Sequence, residues 1–580
     1  MLVVFLSTLL AEKIDFSNLK NKMLNSKSID IFMDDYIGKD SGVRFFTYQN
    51  IIDLFKEIES QFSFSRVHSI GKSFEDRDIP LLTLGENYKK FEEGDSKDNP
   101  PAILLTSAHH AREVVGVSMN IYVALELLYN WVHDNPGTHT LLENHVLYFL
   151  PMVNVDGYYL ISEGWEKSHF FNYIRKNRRN DGGCVGTSIG VDLNRNYDFK
   201  WGLDNDGSSP NKCQGDYRGE MPFSEPETQA VRDFITSSQH NVKIAINFHT
   251  WGNLFIIPFN FDNESNKDMI HKPIYAIYED IRDQGNLPEG MLFGNGKQTI
   301  KYKANGDATD WMATQNDLLA ISPELGILNT ASNRFFPNLE FVKPIIKENY
   351  PWVNYTIHKL SAQIDIKILS YEKEVCMIEN CTTRPQKIQK FHVNIQAQNL
   401  GFSVTKNISI KILADSDIKI LLKDDQQDRF VRSNELTYPS LASLESTVWN
   451  LRVEVPMTKW KELSSASVNK PNENAFLSFE NYKYPLFASS EKSIKALTIA
   501  SLVDAKETAP EDQAKTSIYY YVIIVFIILV SVAILVAYCF IKNKKPSRMI
   551  HLDGKRHQEL EMGYPRDAPG SKEDRSIYSS

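Results

Sequence analysis

His110 and Glu113 stand three residues apart in the run His110-Ala111-Arg112-Glu113. An imidazole and a carboxylate at that spacing can converge on one divalent metal ion, and Zn²⁺ takes this mix of nitrogen and oxygen ligands. A second imidazole, His249, follows the strand-like run KIAINF at 243–248. A carboxylate, Glu324, follows another apolar run, LLAIS at 318–322. Arginines recur around these groups at Arg112, Arg175, Arg178 and Arg195. Guanidinium groups bind carboxylates bidentately and stabilise oxyanions. For any one arginine the ordinary alternative is a solvated surface charge, and for His110 and Glu113 alone it is a polar turn. Solubility is a poor explanation for all of them together.

Several elements must deliver these groups. Residues 101–108, PAILLTSA, form an apolar run of strand length, and from Glu113 to Val132 apolar residues recur three and four apart, as in a helix. His110 and Glu113 therefore fall in the turn between the carboxyl end of a strand and a helix, the edge where open α/β sheets place their chemistry. An amphipathic helix is expected over 45–64, a hairpin over 67–70 and 78–84, and a further strand over 146–153. This succession predicts an α/β fold with a mixed central sheet covered by helices.

The chain has 580 residues, enough for more than one domain, and 42% hydrophobic and 24% charged residues, as in a globular protein. Its net charge of −9 argues against a nucleic-acid partner. Residues 1–11, MLVVFLSTLLA, resemble a short signal peptide, and the segment 12–43 is polar and too short for a large folded prodomain. Residues 518–541 carry no charge and, at about 1.5 Å per residue, span roughly 36 Å, enough to cross a bilayer. Tyrosines lie near both ends, and Lys542, Lys544, Lys545 and Arg548 follow at once, which marks the cytoplasmic side. The chain thus reads as a single-pass, type I membrane protein with residues 501–517 as a stalk and 542–580 as a cytoplasmic tail. Export permits disulfides among the five cysteines and glycans at the sequons of Asn263, Asn354, Asn380 and Asn407.

The motifs HAREV, RKNR, VDLNRNY, NFHTW, YKANGDATDW and PELG occur in this order between residues 110 and 326. With them the chain resembles the zinc metallocarboxypeptidases of the carboxypeptidase A/B and carboxypeptidase T type over roughly residues 44–362. The resemblance implies one Zn²⁺ per catalytic domain, held by His110, Glu113 and His249. It implies Glu324 as general base and Arg178 as the group that polarises the scissile carbonyl. By the same resemblance Asn194 and Arg195 grip the terminal carboxylate of a peptide, and Tyr302 caps the bound residue. Asp192 orients the first zinc histidine, Arg112 and Arg175 match subsite arginines, and Cys184 and Cys213 match a disulfide. Thr309 matches the floor of the specificity pocket, and Asn260 and Ser322 match other pocket positions. All three are neutral, and the expected substrates are peptide or protein C-termini ending in neutral, apolar or aromatic residues.

Beyond residue 362 the resemblance stops. Residues 364–369, 391–398, 408–413, 418–422 and 448–455 alternate apolar and polar side chains, which predicts a β-sandwich within 363–500. Cys376 and Cys381 are candidates for a short disulfide loop. Two other readings are an inactive relative serving as a peptide-binding receptor, and a protein whose main role belongs to the β-rich part. Loss of a ligand or of the base would favour the first, and none is lost.

Overall fold

The apolar runs at 102–107, 146–150, 242–250 and 319–325 lie side by side in the computed structural model, at the middle of one sheet. The structure describes residues 14–30, 45–88, 99–262, 269–315, 318–326, 334–337, 339–373, 388–413, 417–424, 429–433, 435–456, 458, 475–481 and 495–498. In chain order the elements are α1 (Leu19–Asn25), α2 (Tyr48–Gln61), β1 (Ser65–Lys72), β2 (Asp78–Leu84), β3 (Ala102–Ser107), α3 (Val114–Val132), α4 (Pro136–Asn144), β4 (Val146–Leu150), α5 (Val155–Ser168), α6 (Pro226–Thr236), β5 (Val242–Thr250), β6 (Leu254–Ile256), α7 (Lys272–Gln284), β7 (Leu292–Gly294), α8 (Ala308–Ala313), β8 (Leu319–Leu325) and α9 (Leu339–Ile357).

The eight strands run in the order β1-β2-β4-β3-β5-β8-β6-β7. The core quartet β4, β3, β5 and β8 is parallel, β1 and β2 pair antiparallel with their neighbours, and β6 is antiparallel to β8 but parallel to β7, so the sheet is mixed as expected. Strands buried on both faces read as continuous apolar runs because helices cover each side. Ile103, Leu105, Ile244 and Ile246 face one core with α2, α3, α7 and α9. Leu104, Tyr148 and Ala245 face a second with α6 and α8.

α2 begins at a reciprocal cap, in which Thr47 Oγ1 accepts from Asn50 N–H (3.3 Å) and Asn50 Oδ1 accepts from Thr47 N–H (3.1 Å). The polar segment ahead of it holds more structure than its composition suggests. Phe16, Leu19, Met23 and Ile29 are buried in the main core. Lys20 N–H donates to Gln61 Oε1 at 2.7 Å, and Tyr129 Oη donates to the Ser26 carbonyl at 3.0 Å. Four spaced apolar side chains suffice to dock a short helix whose remaining residues face water.

Glu227, in the first turn of α6, is fully buried. It accepts from Phe74 N–H at 3.0 Å and from Asn177 Nδ2 at 3.2 Å. Burial pushes its carboxyl from the usual 4.5 up to about 7. The folded chain therefore keeps a proton that the unfolded chain releases, and this group's contribution to stability falls as pH rises from about 4.5 to about 7. Glu227→Gln is expected to flatten the fall in melting temperature between pH 5 and 8. An unchanged slope would contradict this assignment.

The described residues from Ile364 onward form two antiparallel sheets. One has the order β13-β12-β15-β10-β9, from β9 (Ile364–Lys373), β10 (Ile388–Asn399), β12 (Lys419–Asp424), β13 (Arg429–Arg432) and β15 (Ser446–Pro456). The other has the order β14-β11-β16-β17, from β11 (Thr405–Leu413), β14 (Glu435–Leu441), β16 (Ala475–Asn481) and β17 (Lys495–Thr498). Buried residues of both sheets, among them Val393, Ile395, Leu451 and Val453 with Ile412 and Leu436, join in one apolar cluster. The two parts of the chain meet where Leu400 and Phe402 enter the main core and Phe402 N–H donates to the Lys359 carbonyl at 2.8 Å.

Among the described residues no helix is long and apolar enough to cross a membrane. The expected span 518–541, the signal-like residues 1–11, the stalk, the tail, Cys376, Cys381 and the sequons of Asn263 and Asn380 lie outside the described residues. Asn354 lies in α9, where the hydroxyl of its sequon partner Thr356 is buried and donates to the Trp352 carbonyl at 2.8 Å.

Candidate metal centre

β3 ends at Ser107, and the chain turns through Ala108 with left-handed backbone (φ 51°). That turn brings His110 and Glu113 to the sheet edge, with Glu113 at the N-cap position of α3. The turn is pinned from behind. Ala111 N–H donates to the Arg175 carbonyl (3.2 Å), Arg112 N–H to the Ile174 carbonyl (2.8 Å) and Asn154 N–H to the Ala108 carbonyl (2.9 Å). Two glycines permit this closeness. A Cβ at Gly157 would come within 2.8 Å of Ala111 Cβ, and one at Gly116 within 2.9 Å of the Phe248 carbonyl oxygen.

β5 lies next to β3 in parallel, with Ser107 opposite Phe248, so His249 emerges beside the turn. β8 lies next to β5, with Glu324 in register with His249. Neighbouring parallel strands that end together thus bring to one edge residues more than a hundred positions apart. His110 Nδ1 lies 2.7 Å from Glu113 Oε1, and His249 Nδ1 lies 2.9 Å from Glu113 Oε2. Donor atoms of His110, Glu113 and His249 all lie within 4.8 Å of one another, and all three residues are buried. Thr250 N–H also donates to Glu113 Oε2, at 3.2 Å.

These residues fit zinc. Two imidazoles and one carboxylate are a donor set that Zn²⁺ takes, and three protein ligands leave one position open for chemistry. Asp192 Oδ1 lies 3.1 Å from His110 Nε2, which leaves Nδ1 of that ring for a metal. His249 Nε2 is buried with no hydrogen-bond partner among the described residues.

Asp192 joins the metal residues to the rest of the site. It accepts from Arg175 Nε at 3.0 Å and Nη2 at 2.8 Å, and from Asn194 N–H at 3.0 Å. Burial works to raise its pKa, but Arg175, His110 and Arg195 outweigh burial and hold the carboxyl well below its usual range. Glu113 follows the same pattern, because the two imidazoles overcome the cost of burial and keep it ionised.

The stretch 175–179 divides its labour. Arg175 serves Asp192. Lys176 Nζ donates to the Lys212 and Gln214 carbonyls, at 2.7 and 2.9 Å. Asn177 Nδ2 and Arg179 Nε both bind Glu225, at 2.7 and 2.8 Å. Arg178 is half-buried, and its Nε has no hydrogen-bond partner among the described residues. The Cys184–Cys213 disulfide forms as expected, next to the backbone that Lys176 holds.

Asn194 and Arg195 occupy a short 3-10 turn. Asn194 Oδ1 accepts from Ala308 N–H at 3.0 Å, at the start of α8. Arg195 is buried, its Nη1 donates to the Asn194 carbonyl at 2.7 Å, and its Nε has no hydrogen-bond partner among the described residues. Tyr302 is half-buried, and the residues after it are fastened down: Lys303 Nζ pairs with Asp204 at 2.9 Å and Asp206 at 3.2 Å, and Asn305 N–H donates to the Gly207 carbonyl at 3.1 Å. Arg112 lies with its guanidinium carbon 4.1 Å from the Phe335 ring centre, and burial together with Arg175 brings its pKa down to about 10.

Thr309 is fully buried, and its hydroxyl accepts from Asn247 Nδ2 at 2.9 Å. Asn260, on the loop after β6, and Ser322, on β8, are also buried. The Asp310 carboxyl accepts from the N–H groups of Asn260 and Phe261, and Asp307 caps α8 by accepting from Asp310 N–H at 3.0 Å.

One member of the site escaped the sequence reading. His109 is fully buried, its Nε2 lies 2.9 Å from Tyr197 Oη, and its ring stacks on His249 with centroids 5.8 Å apart. The His-His doublet at a strand end was its available signal.

Residues 51–351 match the profile of the zinc carboxypeptidase family. The chain is 29% identical to carboxypeptidase O of Bos taurus over 246 residues, 42% of this chain and 60% of that one. It is 28% identical to mast cell carboxypeptidase A of Rattus norvegicus over 312 residues, 53% of this chain and 69% of that one. It is 31% identical to carboxypeptidase B of Astacus astacus over 249 residues, 42% of this chain and 73% of that one. The match thus spans 60% of the length of the bovine relative.

Proposed function

The chain belongs to the zinc carboxypeptidase family, and from that premise we propose that it is a membrane-anchored metallocarboxypeptidase acting outside the cytoplasm. It hydrolyses the C-terminal peptide bond of peptides or proteins and releases neutral, apolar or aromatic residues. The observation that carries this reading is the meeting of His110, Glu113 and His249 at one sheet edge, with Glu324 in register beside them.

Zinc, when bound, supplies Lewis acidity toward the scissile carbonyl and lowers the pKa of water toward neutrality. The chain's own residues do the rest. Glu324 takes the proton from the attacking water and delivers it to the departing amine. Arg178 donates to the oxyanion, an effect worth about 3 kcal/mol per donor in acyl transfer. Arg195 and Asn194 hold the free carboxylate, so that only the last peptide bond reaches the metal. Tyr302 covers the terminal residue. Arg112 lines the substrate approach, while Arg175 works through Asp192, which fixes the ring of His110.

Preference for neutral side chains rests on the pocket floor. Thr309 offers a hydroxyl already engaged by Asn247, and the carboxyls of Asp307 and Asp310 are engaged by backbone N–H groups. At position 309 a Lys or Arg side chain would meet a neutral hydroxyl instead of an acid, so its desolvation on the pocket floor would not be offset there. Anchoring rests on the uncharged run 518–541 and its basic flank. The two sheets after residue 363 share one apolar cluster, which supports reading them as a β-sandwich.

Peptides differing only in their last residue test this reading on the full chain in detergent. Phe, Leu or Ala at the C-terminus should be released at least tenfold faster than Lys, Arg or Glu, and a chelator should abolish release. Preferred release of basic residues would overturn the specificity, and chelator-resistant release would overturn the metal.

A further inference from the structure

We propose that the outer face of the five-stranded sheet binds a sulfated polysaccharide. Strand β15 runs through that sheet with Trp449, Leu451, Val453 and Val455 in the core, so Asn450, Arg452 and Glu454 point the other way. The register sets their neighbours. Arg452 lies opposite His392 on β10 and Leu421 on β12, and Leu421 lies opposite Arg432 on β13. His392, Arg452 and Arg432 therefore form one row across four strands, a width of roughly 14 Å at the usual strand spacing. The next row places Glu454 between Lys390 and Lys419, and Lys423 lies opposite Phe430.

These side chains line a concavity of about 1040 Å³ to which Lys419, Lys423, Arg429, Arg432 and Arg452 contribute and in which, among the described residues, Glu454 is the one acid. A merely solvated sheet face mixes both signs, and this chain as a whole carries −9. On β9, the edge strand next to β10, Asp365 is in register with Gln398 and Glu372 with His392. A lining with five basic side chains to one acid costs self-repulsion and attracts polyanions.

The remaining lining residues select among polyanions. The Arg452 guanidinium lies 4.1 Å from the Phe430 ring centre, and its Nε is buried without a hydrogen-bond partner among the described residues. A stacked, preordered guanidinium plane suits bidentate binding of sulfate. Asn394 and Asn450, paired in register on β10 and β15, add amides that can bind sugar hydroxyls. A protein partner would need a dry apolar centre, and Leu421 and Phe430 alone do not supply one.

Binding of the full chain to heparin at about 0.15 M salt tests the proposal, with Lys419→Glu/Arg432→Glu as the disrupting pair and Lys56→Glu/Lys272→Glu as a charge-matched control on the peptidase part. The wild type and the control should bind alike, and the disrupting pair should bind at least tenfold more weakly, with peptide hydrolysis unchanged in all. A neutral version, Lys419→Gln/Arg432→Gln, should fall between. The proposal is overturned if the wild type fails to bind, if the disrupting pair binds as the wild type does, or if the control loses as much. It is equally overturned if desulfated heparin or anionic lipid vesicles bind as tightly as heparin.

Discussion

Glu324→Ala is expected to lower kcat by about a thousandfold, within the 10²–10⁴ range of a positioned general base, while the protein keeps one zinc per chain. Glu324 is 3% exposed on β8, in register with the ligand His249, yet it is not one of the three converging donors. It can therefore act on a water at the metal without holding the metal. Glu324→Gln keeps the shape and removes the base, so it should fall to the same floor. Single-turnover rates on a Phe-terminated peptide, measured with the metal content of the same sample, check this. Wild-type turnover would remove Glu324 from the chemistry, and loss of zinc would make it a ligand instead.

Asp192→Asn carries the largest expected cost in stability. Asp192 is fully buried and holds three partners at once: the His110 ring, the Arg175 guanidinium through two bonds, and Asn194 N–H. Removing its charge leaves Arg175 buried with its main counter-ion gone. Breaking a buried pair in this way costs about 3–5 kcal/mol. The change should also loosen His110 and weaken metal affinity by about 10–100-fold. Denaturant unfolding of the metal-free protein isolates the first effect, and competition with a zinc chelator reads the second. A loss below about 1 kcal/mol together with unchanged zinc affinity would show that Asp192 is a bystander.

The site was largely legible in the sequence because its pieces are local. HAREV, NFHTW and PELG each sit at the end of an apolar run, and apolar runs of that length become parallel strands here because helices cover both faces. What could not be read was the partner of Arg175. By resemblance it matches a subsite arginine, and only the fold shows that its guanidinium is spent on Asp192, 17 residues away. The helix Leu19–Asn25 was missed because Phe16, Leu19 and Met23 recur three and four apart for only two turns, too short a pattern to stand out in a polar segment. In the second part of the chain, β10 and β15 alternate cleanly and were found, whereas β13 has the four residues RFVR and β14 contains a proline. Their place in a sheet comes from pairing with distant strands rather than from their own pattern.

The most direct test of the central claim is the zinc content of the purified full chain and of three variants, His110→Ala, Glu113→Ala and His249→Ala, each with circular dichroism to confirm folding. The wild type should hold one zinc per chain, and each variant should lose it together with peptide release while remaining folded. A wild-type chain purified with zinc supplied that still binds none, or a folded His249→Ala chain that binds zinc as tightly as the wild type, would contradict the claim that these three side chains meet around one ion.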